Sequence, residues 1–598
     1  MGAGYSAVSE PALRRFVCVT LESPEQLQLM DSENENGIAY KFIKKEWSSR
    51  VERISKRGFV WVFRLNGRPF VAPLITLTKS HVVASVEVRD FMCRFIGRLE
   101  HLGLCLEGSV YSGKLFTRTT LMFSRPTEDF KIPFEAQLSR YDEHVICIAI
   151  RGRNVLQFPL PAQLASQQMD EEEPAPRLPV LFWIRNEFRS QIDNETVTAQ
   201  YVEVAFKGTP FSTSKFEEMI TAKRLFLGLI RYYYAMDYQL CASMSLKGNA
   251  KNDTFFFRKV YSPQKPLPKN FFLMSMENKN CLRLYECPVE AVRHIESCFG
   301  SGHVKQVKPS YMGCLEIILA NNPFYTHSNQ LVESQLQLLE IFNKLWENGW
   351  KCSGSIQISQ AVNDKATVVF ETAEKEEEEV KPQKPVANQK RSLTKLHSAS
   401  PQACHHLFGL ATARLDLIRI LNPQPPNLKT LLREMIINQW DKGIQEEVPL
   451  QGGHCFKLRG RPWASRDLGP EANAGLHLLV FICEQFERLG WKLLCSLDCG
   501  SKINDDDEFH LYCEDGELLL FHYAPSSVPT AYSSLSDELF KNNTAINHKF
   551  TALALASALP PVRIPVKGAE NCEDGAKVEV SLEGEENEPA KEENKSLS

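Results

Sequence analysis

Few residues of this chain combine the types and spacing that chemistry needs. The nearest approach to a metal set is Cys404, His405 and His406 with His454 and Cys455. Thiolate and imidazole suit zinc, but this spacing matches no zinc module. Asp505, Asp506 and Asp507 could face a cation, yet the run lacks the alternating ligands and central glycine of a calcium loop. Turn chemistry explains it better. Four serines, Ser109, Ser243, Ser355 and Ser496, fall at matching places in a repeated pattern. A nucleophilic serine requires a base within hydrogen-bond reach. No histidine or carboxylate recurs beside them, so cross-strand hydrogen bonding or packing between units is the expected role. The chain has no phosphate loop, dinucleotide fingerprint, nucleophile elbow or His-Glu-x-x-His. No catalytic residue, metal or cofactor is therefore expected.

The N-terminus offers a different chemistry. Met1, Gly2 and Ser6 fit the N-myristoylation pattern, in which Gly2 carries the acyl group. One myristoyl chain holds a membrane only marginally and needs a second signal. Lys41, Lys44, Lys45, Arg50, Arg53, Lys56 and Arg57 are opposed in sequence only by Glu46 and Glu52. Such a cluster could meet anionic lipid headgroups. The plainer expectation is a solvated helix face laced with i,i+4 ion pairs. Tyr232, Tyr233 and Tyr234, and Phe255 to Phe257 with Arg258, resemble stacking platforms for single strands. Both runs fall on expected core elements, and a net charge of −4 gives no basic field. Nucleic acid is not an expected partner.

The elements that carry these residues repeat. A Gly-x-Pro-aromatic motif occurs at Gly67–Phe70, Gly208–Phe211 and Gly460–Trp463, with Asn321 replacing the glycine in a third copy that ends at Phe324. A strand-like run precedes each motif, at 59–65, 201–206, 314–319 and 454–458. A helix of about five turns comes after each. Ser85, the Ser214 and Glu217 pair, and Pro470 supply helix-start signals. The helices end alike, at Gly103, Asp237, Gly349 and Gly490, where a left-handed cap is expected. Then comes a strand with one apolar or small face (Leu104, Leu106, Gly108 in the first copy) and one mixed face. A last strand closes each copy at 120–123, 254–257, 367–370 and 508–511. First strands are expected at 16–21 and 145–150.

These landmarks predict four tandem, diverged α/β (α+β) modules, each a small mixed sheet with helices packed mainly on one face. Their bounds are 13–125, 142–260, 271–372 and 404–525, and each is large enough to fold alone. Residues 373–403 read as a disordered charged linker that lets the fourth module move. Residues 567–598 read as a disordered acidic tail.

The 598 residues suit about four domains. Seventeen cysteines, an odd number scattered through apolar runs, fit buried reduced thiols of a cytoplasmic protein, here expected at a cytoplasmic membrane face if Gly2 is acylated. No stretch has the length and apolarity of a membrane span. The function expected is a non-catalytic intracellular adaptor or scaffold for protein partners. The alternative is an enzyme or small-ligand protein with its site between modules.

Overall fold

The computed structural model describes residues 16–124, 144–260, 269–372 and 407–524, short loops within those spans excepted. Gly2, Gly67, Ser214, Cys404 to His406, Cys499, Asp505 to Asp507, the 373–403 segment and the 567–598 tail lie outside the described residues.

Module 1 comprises β1 (Phe16–Ser23), β2 (Gln26–Asp31), α1 (Ile38–Glu46), β3 (Val51–Arg57), β4 (Val60–Leu65), α2 (Lys79–His101), β5 (Cys105–Tyr111) and β6 (Thr119–Ser124). Module 2 comprises β7 (Val145–Arg151), β8 (Val155–Pro159), α3 (Pro179–Phe188), β9 (Ile192–Val197), β10 (Tyr201–Phe206), α4 (Phe216–Ala235), β11 (Tyr238–Met244) and β12 (Thr254–Lys259). Module 3 comprises β13 (Phe271–Glu277), β14 (Cys281–Tyr285), α5 (Val289–Ser297), β15 (Val304–Pro309), β16 (Leu315–Leu319), α6 (Asn329–Glu347), β17 (Trp350–Ile356) and β18 (Thr367–Thr372). Module 4 comprises β19 (Leu407–Ala413), β20 (Leu417–Leu421), α7 (Asn427–Gln439), β21 (Ile444–Leu450), β22 (Gly453–Leu458), α8 (Pro470–Arg488), β23 (Trp491–Asp498) and β24 (Glu517–Tyr523).

Each module is ββαββαββ, and all four sheets have the same order, β3-β4-β2-β1-β6-β5 in module 1. Every pairing among the described strands is antiparallel, so the sheets are not mixed. Three hairpins build each sheet, and the two helices are crossovers between strands that are not neighbours: in module 1, α1 leads from β2 past β4 to β3, and α2 leads from β4 to β5 at the opposite edge. The repeat pattern misses the first hairpin, since the expected first strands at 16–21 and 145–150 are each followed by a second strand before the helix.

Local chemistry explains the shared landmarks. Helices end on residues of positive φ: Gly103 (85°), Asp237 (64°), Gly349 (82°) and Gly490 (89°). In the Pro-aromatic loops Gly208 (76°), Asn322 (48°) and Gly460 (90°) are left-handed too. Phe70 and Phe211 plug the core, fully buried. Trp463 is half-buried and donates Nε1–H to Leu417 O at 2.9 Å. Pro470 opens α8 as expected, but the other two helix starts differ. Ser85 lies inside α2, which begins at Lys79. Helix α4 starts after Lys215 with no side-chain cap, and Glu218 instead accepts from the Thr209 N–H of the loop at 2.8 Å. Glu471 repeats this with the Arg461 N–H at 2.6 Å. The closing strand of module 4 is 517–523, not 508–511, which lies outside the described residues.

The central strands are buried on both faces, because each sheet is covered twice. In β13, Phe272, Met274 and Met276 join the core beneath the module's own helices. Phe271 and Leu273 join the core of module 2. Helix α4 thus lies on the free sheet face of module 3. The same step joins α2 to module 2, whose Val145, Cys147 and Phe256 enter the core of module 1. It joins α6 to module 4, whose Leu407, Ala411 and Leu421 enter the core of module 3. The fourth step closes the set. Ser124 donates its hydroxyl to Glu487 of α8 at 3.2 Å, and Cys18 of β1 lies beside Cys483 and Glu484 of α8. Four modules therefore form a closed ring. Module 4, expected to move on a linker, is seated against both module 3 and module 1.

Candidate functional site

The strands after the long helices meet at the ring centre: β5 touches β11, β11 touches β17, β17 touches β23, and β23 touches β5. Each carries a bulge at the same place, at Glu107, Cys241, Ser353 and Leu494. A bulge inserts one residue and reverses the facing beyond it. The strict alternation expected along these strands therefore holds only up to the bulge. The residue after each bulge is small, Gly108, Ala242, Gly354 or Cys495, and a serine comes next in every copy. A Cβ on Gly108 would stand 3.9 Å from Leu493, and one on Gly354 3.8 Å from Leu240. These are ordinary contact distances, so the leucine of one module packs beside the glycine of its neighbour.

The aligned serines join modules, as their lack of a base implied. Ser243 Oγ donates to Ser355 O at 3.2 Å, and Ser355 Oγ donates to Ser496 O at 2.5 Å. Ser496 Oγ is buried without a partner among the described residues. Cys352 and Cys495 meet beside them, Sγ to Sγ 3.5 Å.

Around these strands lies a cavity of about 230 Å³ to which all four modules contribute, including Glu107, Gln239, Arg258, Glu371 and Leu494. Two of its charged side chains, Arg258 and Glu371, are each ion-paired. Arg258 Nη1 donates to Glu100 Oε1 at 2.7 Å, and His144 Nε2 lies 2.9 Å from Glu100 Oε2. Burial pushes the Glu100 carboxyl up, but Arg258 and His144 outweigh it and hold the group below its ordinary value. The charge of Glu100 in turn holds Arg258 protonated. Glu371 accepts from Lys269 Nζ at 3.1 Å. Burial lifts the Cys241 thiol to about 12, and burial with Glu100 and Glu107 does the same for Cys105. Such thiols are protonated at neutral pH and are poor nucleophiles.

A single domain-family model matches the chain three times, at residues 147–258, 270–371 and 406–513, together more than half of it. The chain belongs to this domain family. The matched copies are modules 2, 3 and 4, and module 1 has the same strand order outside the matched span. No curated protein and no solved structure matches the chain.

The other sequence-level candidates are dispersed. Cys455 faces Arg419 across β20 and β22, and His454 Nε2 stands 3.6 Å from Glu447. Among the described residues no three His, Cys, Asp or Glu are placed to hold a metal. Tyr233, Tyr234 and Phe255 to Phe257 are core residues. The basic cluster is not one helix face. Lys41, Lys44 and Lys45 are exposed on α1, while Arg53, Lys56 and Arg57 are exposed on the edge strand β3. Arg50 is drawn to Glu87. The expected i,i+4 pairs are replaced by longer-range ones: Glu46 pairs with Arg94 at 3.3 Å and Glu52 with Arg64 at 3.4 Å.

Sequence reasoning missed the polar groups between modules. Arg89, Lys223 and Gln335 each stand 14 residues before the helix-ending Gly103, Asp237 and Gly349. All three are buried, and Arg89 and Lys223 reach polar side chains of the next sheet. The signal was a long polar residue at a helix position flanked by apolar ones, recurring in register.

Proposed function

We propose that this protein is a non-catalytic intracellular scaffold: a closed ring that presents four different outward edges to protein partners. One observation carries the reading. The small residues and serines that recur after the inner-strand bulges lie where modules meet, whereas the outward strands diverge in charge. Strand β3 exposes Arg53, Lys56 and Arg57, β9 bears Asp193 and Glu195, β15 exposes Lys305 and Lys308, and β21 exposes Glu446 and Glu447. Round the ring the edges run basic, acidic, basic, acidic, which suits discrimination among partners by charge.

The basic edge of module 1 and the lysines of α1 also favour an anionic membrane face, with Gly2 acylation as the second attachment. Glu46 and Glu52, the acids nearest in sequence, turn to Arg94 and Arg64 and leave that basic surface to its surroundings. No helix among the described residues is long and apolar enough to cross a membrane.

A second reading, a small-ligand protein, draws on the cavity at the four-module junction and the partnerless Ser496 hydroxyl. Native mass spectrometry of the full chain from eukaryotic cells separates the two. A scaffold retains protein partners that are lost when Glu446 and Glu447 are changed to lysine. A bound mass of small-molecule size, lost instead when the cavity is filled by Ser496→Phe, would move the function to the ring centre. Membrane fractionation of wild type and Gly2→Ala tests the tether: a membrane fraction lost in the variant supports it, and a fully soluble wild type removes it.

A further inference from the structure

The polar group that each long helix buries in the next sheet meets a different set of charges at each seam. Between modules 2 and 3, Lys223 Nζ donates to Ser275 Oγ at 2.6 Å and to Glu277 Oε1 at 2.9 Å. Beside them Arg283 pairs with Glu277, and with Glu316 at 2.9 Å. Two buried cations meet two buried carboxylates. Between modules 1 and 2, Arg89 hydrogen-bonds to Gln157, Gln157 donates to Glu203 at 2.8 Å, and Arg151 pairs with Glu203.

The seam between modules 3 and 4 keeps a cation and loses the acids. Strand register makes Arg419 the counterpart of Arg283: Arg283 stands opposite Glu316, and Arg419 stands opposite Cys455. The counterpart of Glu277, which pairs with the first residue of β14, is Ala413, which pairs with the first residue of β20. On the helix, Gln335 replaces Lys223. One turn further on, Leu339 packs at Gly409, which sets α6 over this sheet face. Arg419 is 5% exposed, and its Nε and Nη1 have no partner among the described residues. Gln335 is fully buried, and neither its oxygen nor its nitrogen has one. A guanidinium does not lose its proton in a protein. A buried charge without a counter-charge is not tolerated. Cys455 hydrogen-bonds to Arg419, but burial pushes its thiol up against the pull of that guanidinium, so it is a neutral partner and not a counter-charge; Asp416 and Arg414, which also act on it, oppose each other.

We propose that a monovalent anion of chloride size binds between modules 3 and 4, held by the N–H donors of Arg419 and Gln335 in the space where module 3 has carboxylates. The site neutralises the seam as Glu277 and Glu316 do in the preceding one. It makes seating of module 4 on module 3 depend on anion concentration.

The test is thermal unfolding of the full chain at constant ionic strength, with chloride replaced stepwise by gluconate. Wild type is expected to gain midpoint temperature as chloride rises, following the logarithm of its concentration. Cys455→Glu, which restores the acid found in module 3, should show a flat response and fold normally, and this keeps the test decisive even if Arg419→Gln fails to fold. Bromide-soaked crystals should show anomalous density beside Arg419 in wild type and none in Cys455→Glu. A wild type indifferent to chloride overturns the proposal, as does an equal response in both proteins. Stabilisation by phosphate but not by chloride overturns it in favour of a larger anion. Loss of stability on changing Asp505, Asp506 and Asp507 to asparagine, with no chloride response, overturns it in favour of an internal carboxylate.

Discussion

Each sheet ends in two edge strands, and the two have opposite fates. The inner edges, β5, β11, β17 and β23, carry Gly, Ala, Gly or Cys and then Ser directly after their bulges and pack against one another at the ring centre. The outer edges, β3, β9, β15 and β21, are exposed and charged, and β15 and β21 include Pro309 and Pro449. Both kinds are bulged, so the bulge does not decide the outcome. Small side chains let backbones approach, whereas charge and proline deter pairing with a further strand. The same topology thus yields one edge that assembles and one that resists assembly, by side-chain choice alone.

Four measurements test that contrast. The largest effect is expected from cutting out module 4 as residues 404–525. Its sheet face then loses the cover of α6 over Ala411, Leu421 and Leu518, and it should self-associate. A monomeric product with a well-dispersed NMR spectrum would mean the seam is dispensable. Next, Trp491→Ala, at the start of inner strand β23, removes a fully buried ring packed on Phe408 at 4.9 Å and Tyr523 at 5.2 Å. It should cost roughly 3–5 kcal/mol in chemical denaturation, and a loss below about 1 kcal/mol would place the ring at the surface. Third, Glu100→Gln leaves the half-buried Arg258 without its carboxylate, a loss of about 2 kcal/mol at neutral pH. Because the folded carboxyl titrates below its ordinary 4.5, its contribution is complete above that value and is lost as pH falls through the folded value. The gap between wild type and variant should close in acid, and a gap constant with pH would refute the ion pair. Smallest is Lys305→Glu on outer strand β15, expected to shift stability by no more than about 0.5 kcal/mol. A larger loss would show that this edge is covered.

The module was legible in the sequence because its punctuation is local. Gly103, Gly349 and Gly490 end helices, Pro and an aromatic fix one loop, and period-2 runs mark strands. The fourth closing strand was misplaced because 508–511 alternates like a strand, whereas β24 is the continuous apolar run Leu518 to Phe521, the pattern of a strand buried on both faces. Ring closure was not legible. It rests on residues hundreds of positions apart, such as Ser124 with Glu487, and on both sheet faces being apolar, which the search for one-sided strands passes over. Nor was the seam beneath Arg419, whose character depends on two acids that are absent and becomes visible only when strand register aligns it with Arg283.

The ring has four seams but only three are crossed by the chain running from one module to the next. The junction of module 4 with module 1, where Ser124 meets Glu487 and Leu493 packs beside Gly108, has no such tether and acts as a clasp. Its two halves stay at an effective concentration set by the other three modules, in the millimolar range for short connections. Unfastening it would therefore be a unimolecular event, one that parts two modules without breaking a chain connection or unfolding either of them.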